Sequence, residues 1–371
     1  MERGDQGKMM REEKMAAFCF QENAFDVIRY WAAISVMIGH YMWKLQTFAP
    51  TDSVIAKAIT RISGFFPGVV VLFGMSGFLV AASYERAKNR KEFFIKRIFR
   101  MYPELWVCTI VNLLVVCALA YQLLDKSILV WLVTQVFGIA NTPLCLKEFA
   151  TGSINGSLWT IFTEMQLYVV LGLMYKGLKK LSNKAWLVLL AALAACNLGA
   201  DYLSAAANGT IAKMIERFFL SYALWFFIGV FCYIKRRQMI PVLKKKAPVI
   251  LAAYILCYFL PIDLPGYYAT IAVGILLPLL VIGGAYAIPA IRITCDLSYE
   301  MFLYHWIVLN VIVHFDLMNR WPWYGGLLCF VFFSVVLAWL SWRLVGKGRK
   351  MAKRNEWNEE KSLHGGSESD G

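Results

Sequence analysis

Stretches of mostly apolar residues recur along nearly the whole chain, separated by short polar connections. A bilayer core about 30 Å thick is crossed by about 20 residues in a helix, so each stretch can form one transmembrane helix. One further apolar run, residues 127–139, is too short for a crossing and is predicted to be re-entrant or interfacial. The pattern predicts about ten crossings, near residues 25–43, 64–84, 102–123, 158–176, 185–200, 217–234, 247–262, 267–286, 298–316 and 323–345.

The composition favours the same fold class. Of the 371 residues, 59% are hydrophobic and 15% aromatic, and the mean hydropathy is +0.56. We expect an all-α polytopic membrane protein with one transmembrane domain over residues 25–345. A cytoplasmic segment, residues 1–24, is predicted before it, and a disordered cytoplasmic tail, residues 346–371, after it. The nine cysteines show no paired spacing, so we expect neither a disulfide framework nor a metal site.

The net charge of +14 is concentrated in alternate connections between the predicted helices. Positively charged loops mark the cytoplasmic side of a membrane protein, so these connections and both termini are predicted to be cytoplasmic. This distribution explains the charge without nucleic acid, and we expect a multi-pass protein of the plasma membrane. No feature of the sequence indicates an oligomeric state. The basic connections are residues 85–100, 176–184, 235–246 and 343–354.

The first predicted helix, "FDVIRYWAAISVMIGHYMW", carries three polar residues, Asp26, Arg29 and His40. Arg29 and His40 are eleven residues apart, so they share one face about 16 Å apart along the axis. A charge at mid-membrane costs about 3 kcal/mol and normally faces a protein interior or a cavity. Arg29 could reach the interface with Asp26 as its partner, or it could be functional. His40 could be a packed core histidine or a general base.

Four other polar residues fall inside predicted helices. Ser76, Tyr299 and His305 are candidates to line a cavity. Glu164 is predicted at a depth similar to that of His40, where a carboxylate could orient the imidazole and stabilise its charged form. It could equally pair with an intramembrane arginine or with hydroxyl groups. His305 is predicted in the inner half of the membrane, where it need not contact His40 and where packing is favoured over catalysis.

A basic segment precedes the third predicted helix and contains Lys96, Arg97 and Arg100. Arg97 and Arg100 are three residues apart and would share a face if this segment is helical. Two guanidinium groups at the membrane surface suit bidentate phosphate binding. Cytoplasmic topology alone also explains most of these charges.

Five stretches of the chain together resemble the acyltransferase 3 family of integral membrane acyltransferases. The resemblance spans nearly the whole sequence, and the five stretches occur in the family's order. They are "FDVIRYWAAISVMIGH", with Arg and His separated by ten residues, "GVVVLFGMSGFLV", "FFIKRIFRMYP", "GSLWTIFTEMQLY" and "LSYEMFLYHWIVL".

The resemblance implies transfer of an acyl group, often acetyl, from cytoplasmic acyl-CoA to a hydroxyl of a cell-envelope or exported carbohydrate or glycolipid. On this chain it implies His40 as the catalytic residue and Arg29 as its motif partner. It also implies Arg97 and Arg100, beside Lys96, as the acyl-CoA-binding group. Acyl-CoA is a co-substrate in this chemistry, and no bound cofactor or metal is expected.

The sequence leaves the chemical role of His40 open. It could deprotonate the acceptor hydroxyl, with Glu164 balancing its charge, or it could carry the acyl group itself. A proton-coupled transporter of a lipid or sugar intermediate would use the same intramembrane ionisable residues. A non-catalytic scaffolding module would not need the arginine pair, so it ranks last.

Overall fold

The computed structural model describes residues 23–260, 264–291, 293 and 295–346. All regular elements in this part of the chain are helices, as expected for an all-α protein. The predicted segments 1–24 and 346–371 lie almost wholly outside the described residues. The first seven helices are α1 (Phe25–Phe48), α2 (Val54–Phe65), α3 (Gly68–Arg86), α4 (Arg90–Ala120), α5 (Ser127–Val136), α6 (Leu158–Leu178) and α7 (Asn183–Ala206). The other seven are α8 (Gly209–Glu216), α9 (Ala223–Ile234), α10 (Arg236–Phe259), α11 (Ile271–Ala287), α12 (Ser298–His314), α13 (Leu317–Arg320) and α14 (Trp323–Ser341).

Five helical segments are long and apolar enough to cross a membrane. Large apolar side chains lie exposed along them, including Leu114, Leu187 and Leu328 at 62%, 70% and 69%. Such side chains are favourable on a helix surface that faces lipid. The five segments are Val54–Arg86, Arg90–Leu123, Leu158–Leu178, Asn183–Ala206 and Trp323–Gly346.

Several helix boundaries differ from the predicted ones. Helices α4 and α10 begin at Arg90 and Arg236, so most of the two basic connections before them is helical. Charged residues lower the hydropathy of a segment without preventing helix formation, and the apolar pattern alone therefore placed these boundaries too late. The short helices α2 and α8 were not predicted, since each lies in a connection of mixed polarity.

The chain divides into two compact units. Unit 1 comprises the described residues of Met1–Val36, Ala58–Phe94 and Phe162–Asp296. Unit 2 comprises those of Met37–Lys57, Ile95–Ile161 and Leu297–Gly371. Helix α1 contributes its first half to unit 1 and its second half to unit 2.

Unit 1 is organised around helices α3, α9, α10 and α11, and every residue of α9 except Phe231 and Ile234 is buried. Glycines allow its helices to approach closely. A Cβ atom on Gly77 of α3 would lie 1.9 Å from the Phe226 carbonyl oxygen of α9. Gly77 therefore serves close helix packing.

The break between α2 and α3 shows how unit 1 satisfies backbone groups at a proline. Pro67 has no N–H group, so the chain bends and the last carbonyl groups of α2 lose helical partners. The Ser35 hydroxyl donates to the carbonyl oxygens of Ser63 at 2.9 Å and Phe66 at 3.3 Å. The Tyr254 hydroxyl donates to Phe65. Side chains from α1 and α10 therefore replace the hydrogen bonds that the proline removes.

Helix α5 belongs to unit 2 and runs back along α4. It has ten residues, too few for a crossing. The indole N–H of Trp106 donates to Val136 at 3.2 Å, and the Tyr102 hydroxyl donates to Phe137 at 3.2 Å. Trp106 lies about 21 Å along α4 from Ala120, so the end of α5 lies deep beside α4. The prediction of a re-entrant or interfacial segment agrees with the short length of α5, and its position in the membrane stays a prediction.

Two neighbouring glycines of α11 provide a test of the helix packing in unit 1. A Cβ on Gly283 would lie 2.7 Å from the Leu243 carbonyl oxygen of α10, whereas one on Gly284 would have no atom within 4 Å. We expect Gly283→Ala to destabilise the protein by about 1 to 3 kcal/mol through overpacking. Gly284→Ala should be neutral or stabilising by up to about 1 kcal/mol. Thermal unfolding in detergent measures both, and equal melting temperatures would contradict this packing.

Candidate active site

The polar stripe of α1 begins with an ion-pair cluster in unit 1. The Arg29 guanidinium lies 3.3 Å from the Asp26 carboxylate and 2.6 Å from that of Asp296. The Tyr30 hydroxyl next to it donates to the Cys295 carbonyl oxygen at 2.5 Å. The expected contact with Asp26 is present, but the closer partner is a residue 267 positions away. Arg29 therefore fixes the start of α1 to the segment before α12.

His40 contacts His305 inside unit 2. The Nδ1 atom of His40 lies 2.9 Å from the Nε2 atom of His305, and the two rings are nearly parallel at 10°. The prediction that these residues need not meet is wrong. That prediction took the depth of His305 as its distance from the start of α12, and it placed the start of this helix at the membrane boundary. Helix length gives depth only relative to the helix's own end.

The hydrogen bonds of His305 define the proton positions of the pair. Its Nδ1 atom lies 3.1 Å from the Met301 carbonyl oxygen, which can only accept, so Nδ1 carries a proton. In the neutral ring Nε2 is then an acceptor, and the proton between the rings belongs to Nδ1 of His40. The neutral His40 ring is left with an unprotonated Nε2. His305 is fully buried whereas His40 is partly accessible, so the basic nitrogen belongs to the accessible ring.

A lysine lies one turn after His40. Lys44 is 8% exposed and donates to the Thr151 carbonyl oxygen at 3.3 Å. Its ammonium group also lies 4.2 Å from the ring centroid of Trp43. Residues four apart in a helix are about 6 Å apart at Cβ, so Lys44 places a cation on the same face as His40. The sequence analysis did not identify Lys44 as a site residue, although its spacing of four from His40 indicates that the two share a helical face.

The loop before α6 is fixed to α12 by two polar side chains. The Asn310 side chain accepts from the Thr151 hydroxyl at 2.6 Å and donates to the Ile154 carbonyl oxygen at 2.9 Å. The Trp306 indole N–H donates to the Thr151 hydroxyl at 3.0 Å. A Cβ on Gly156 would lie 2.4 Å from the Trp306 ring, so this loop position requires glycine. The loop that binds Lys44 is thus held in one conformation by α12.

The same helix places an aromatic ring against His40. Trp306 and His40 pack edge to face with ring centroids 4.8 Å apart. An apolar ring at this position limits water access to the imidazole, which strengthens its polar interactions. The residue that follows His305 in the chain is therefore in direct contact with His40.

Glu164 lies in unit 1, where its carboxylate accepts from two hydroxyl groups. Ser76 donates to it, and Tyr168 donates to it at 2.5 Å. Ser76 and Glu164 were both predicted as site residues, and Tyr168 was not. The sequence expected Glu164 to orient His40, but the partner of His40 Nδ1 is His305.

The predicted donor-binding residues lie in α4, which is helical through this basic segment. Arg97 is buried at 8% exposure, while Lys96 and Arg100 are exposed. Tyr299 lies close to them, since its hydroxyl donates to the Met101 carbonyl oxygen at 3.0 Å. The neighbouring Glu300 is also buried, at 3% exposure. The basic segment therefore presents Lys96 and Arg100 outward, and Arg97 points into the protein.

No group of three or more metal-ligating side chains is present among the described residues. The nearest approach to such a group is the His40–His305 pair, whose contacting nitrogens share a hydrogen bond.

Comparisons with known proteins agree with the resemblance seen in the sequence. A family described as an acyltransferase domain, Acyltransferase 3, matches residues 22–343. "Nodulation protein 10" of Rhizobium leguminosarum bv. viciae is 26% identical over 87% of this chain and 92% of its own length. An "O-acetyl transferase" of Shigella phage Sf6 is 23% identical over 88% of this chain and 96% of its own length. No solved structure shows a significant match.

The Asn310 contacts give a test of the loop before α6. The Thr151 backbone N–H donates to the Asn310 side-chain oxygen at 3.3 Å. Asn310→Leu removes this acceptor, so we expect faster amide hydrogen exchange over residues 150–157 and a loss of about 1 to 3 kcal/mol. Asn310→Asp keeps the acceptor and should keep protection at Thr151. Unchanged exchange in Asn310→Leu would contradict the assigned role.

Proposed function

We propose a donor, an acceptor and a set of site residues for this chain, which belongs to the acyltransferase 3 family and is an O-acetyltransferase-like enzyme. The donor is acyl-CoA, and the transferred group is acetyl. The acceptor is a hydroxyl of a cell-envelope or exported carbohydrate or glycolipid. The name of the phage relative supports acetyl, and the five family-like stretches support the carbohydrate acceptor.

The observation that carries this proposal is the unprotonated Nε2 atom of His40. His305 holds the other nitrogen of the ring through a 2.9 Å contact, so only Nε2 can receive a proton from outside the pair. A neutral imidazole in a partly accessible position is a general base suited to a hydroxyl acceptor. His305 is a positioning residue, because it acts through His40.

Transfer then proceeds with balanced protons. His40 Nε2 takes the proton of the acceptor hydroxyl, and the oxygen attacks the thioester carbonyl carbon. The carbon–sulfur bond breaks, and the imidazolium returns the proton to the CoA thiolate. In the second route, Nε2 attacks the thioester first and CoA leaves as its thiolate. The acceptor oxygen then attacks the acyl-imidazole, its proton passes to the thiolate, and the neutral His40 ring is released. Both routes use the same nitrogen and the same positioning contact.

Lys44 is proposed to stabilise negative charge that develops on the thioester oxygen. It is a buried cation one turn from His40, and the Thr151 carbonyl oxygen restrains it at 3.3 Å. A fixed cation in an apolar setting stabilises a developing oxyanion more strongly than the same cation in water.

The donor phosphates are proposed to bind at the basic segment of α4. Arg100 and Lys96 are exposed there, and guanidinium and ammonium groups bind phosphate oxygens well. The buried Arg97 is proposed to form the inner end of this phosphate-binding surface. Ten crossings with both termini in the cytoplasm, in the plasma membrane, would place this segment on the side where acyl-CoA is made. The five long apolar segments support such a topology.

Acyl transfer by purified protein in proteoliposomes tests the assignment of His40 and Arg100. With labelled acetyl-CoA, we expect His40→Ala to lower turnover by about 100-fold or more, the usual contribution of a general base. Arg100→Gln should raise the KM for acetyl-CoA and leave kcat nearly unchanged.

Lys88→Gln is the matched control for Arg100→Gln, because Lys88 is an exposed cation at the start of the same basic segment. It should not change KM. Full activity of His40→Ala would reject the proposed site. Movement of a carbohydrate across the membrane without acylation would instead support the transporter alternative.

Substitution of His305 separates positioning from packing. His305→Leu removes the acceptor for the His40 Nδ1 proton, so we expect kcat to fall about 10- to 100-fold with KM for acetyl-CoA unchanged. His305→Gln supplies a carbonyl oxygen that can accept the same proton and should restore part of kcat. Equal kcat values in the two variants would show that His305 serves packing alone.

A further inference from the structure

A cavity of about 720 Å³ in unit 1 has no role in the proposed acyl transfer. It lies between α6 and α8, and its volume is in the range of small-molecule sites. Five of its lining side chains are polar or charged, and three others are apolar. The polar ones are Gln166, Asn208, Thr210, Lys213 and Arg217.

One face of α8 forms a wall of this cavity. The lining residues Thr210, Lys213, Met214, Arg217 and Phe218 follow the spacing i, i+3, i+4, i+7 and i+8. This is the spacing of a single helical face, continued by the turn after the helix. Two cations and two large apolar side chains therefore alternate along one stripe.

The wall is held in place by hydrogen bonds at both ends of α8. At its C-terminal end, Gln166 of α6 donates to the Arg217 carbonyl oxygen at 2.8 Å, and the Ser221 hydroxyl donates to Ile215 at 2.9 Å. The Tyr222 hydroxyl donates to Glu216 at 2.8 Å. These bonds satisfy carbonyl groups that a helix end leaves open. At the N-terminal end, the Asn208 side chain accepts from the Ile211 backbone N–H at 3.4 Å.

The charged residues among the described lining of the cavity are all positive. Lys213 and Arg217 line it, and its described lining contains no acidic residue. The Nε atom of Arg217 is buried and has no hydrogen-bond partner among the described residues. A buried guanidinium nitrogen without a partner is costly unless a ligand supplies an acceptor. The cavity therefore fits an anion with several acceptor oxygens.

The rim of the cavity is apolar and exposed. Met214 is 68% exposed, Phe218 47% and the neighbouring Ile211 50%. Helix α8 thus carries apolar side chains beside its cations, the composition of a helix at a membrane interface. A free phosphate ion would use the cations and leave the apolar rim uncovered.

We propose that this cavity binds a lipid phosphate, an amphipathic ligand with an anionic phosphate headgroup and an apolar chain. Arg217 and Lys213 bind the phosphate oxygens, and Thr210 and Asn208 bind neighbouring hydroxyl or ester oxygens. The apolar chain lies over Met214 and Phe218. This site is separate from the proposed transfer chemistry, so it stands whether or not His40 is catalytic.

Native mass spectrometry of the full-length protein in detergent tests the proposal with phosphatidic acid as the probe. We expect phosphatidic acid to bind, and the double variant Lys213→Gln/Arg217→Gln to bind it about 10- to 100-fold more weakly. Lys184→Gln/Arg320→Gln is the matched control, since it removes two exposed cations elsewhere and should retain the affinity. Thermal unfolding should be the same for all three proteins.

Three further probes identify the ligand chemistry. Weaker binding of phosphatidylcholine with the same chains would support the need for net negative charge. Inorganic phosphate at the lipid's own affinity would overturn the role of the apolar rim. Glucuronate bound as tightly as phosphatidic acid would overturn the choice of a phosphate. Equal binding of phosphatidic acid by the cavity variant and the control variant would overturn the site itself.

Discussion

Polar atoms inside an apolar helical protein need partners within the protein, and this requirement organises the whole structure. An unsatisfied backbone group in hydrocarbon costs several kcal/mol, so irregular segments persist only where side chains complete their hydrogen bonds. Ser35 completes the break at Pro67, and Trp106 completes the end of α5. In unit 1, Asn197 donates to the Ser221 carbonyl oxygen at 2.7 Å. Each irregular segment is thereby fixed to one particular neighbouring helix.

The His40–His305 pair meets the same requirement for hydrogen-bond partners in the candidate site. Met301 supplies the acceptor for His305, and His305 supplies the acceptor for His40. In its neutral form the pair can make three hydrogen bonds through these nitrogens. Two of them are made within the protein, from His305 to Met301 and from His40 to His305. The third would use the lone pair on Nε2 of His40, the accessible ring. The chain of contacts therefore does more than pack two imidazoles, because it decides which nitrogen can react.

Much of this architecture was readable from the sequence, and the reason is periodicity. Long apolar stretches predicted the helices, and the equal phase of Arg29 and His40 placed both on one stripe of α1. Asp296 could not be found in this way, because it is a loop residue that meets Arg29 only through the fold. His305 was identified, but its contact with His40 was not predicted, because sequence gives position along a helix and not the height of that helix in the protein.

Residues that act through another residue were the hardest to predict. Asn310 looks like a single polar residue in an apolar helix, and its role depends on four hydrogen bonds to a loop about 155 positions earlier. Thr151 looks like an ordinary loop residue, and its carbonyl oxygen holds Lys44. Neither residue type nor spacing signals such a role, because most of the partner groups are backbone atoms.

These contacts make α12 the element that sets the geometry of the candidate site in unit 2. Asn310 fixes the loop, the loop carbonyl of Thr151 fixes Lys44, and His305 fixes the ring of His40. The base and the cation lie on α1, yet both take their orientation from α12. A change in the register or tilt of α12 would therefore move the two proposed reactive groups together. In the proposed reaction Lys44 and His40 act on the same acyl group, so a single positioning helix would keep the distance between them constant while the site binds its substrates.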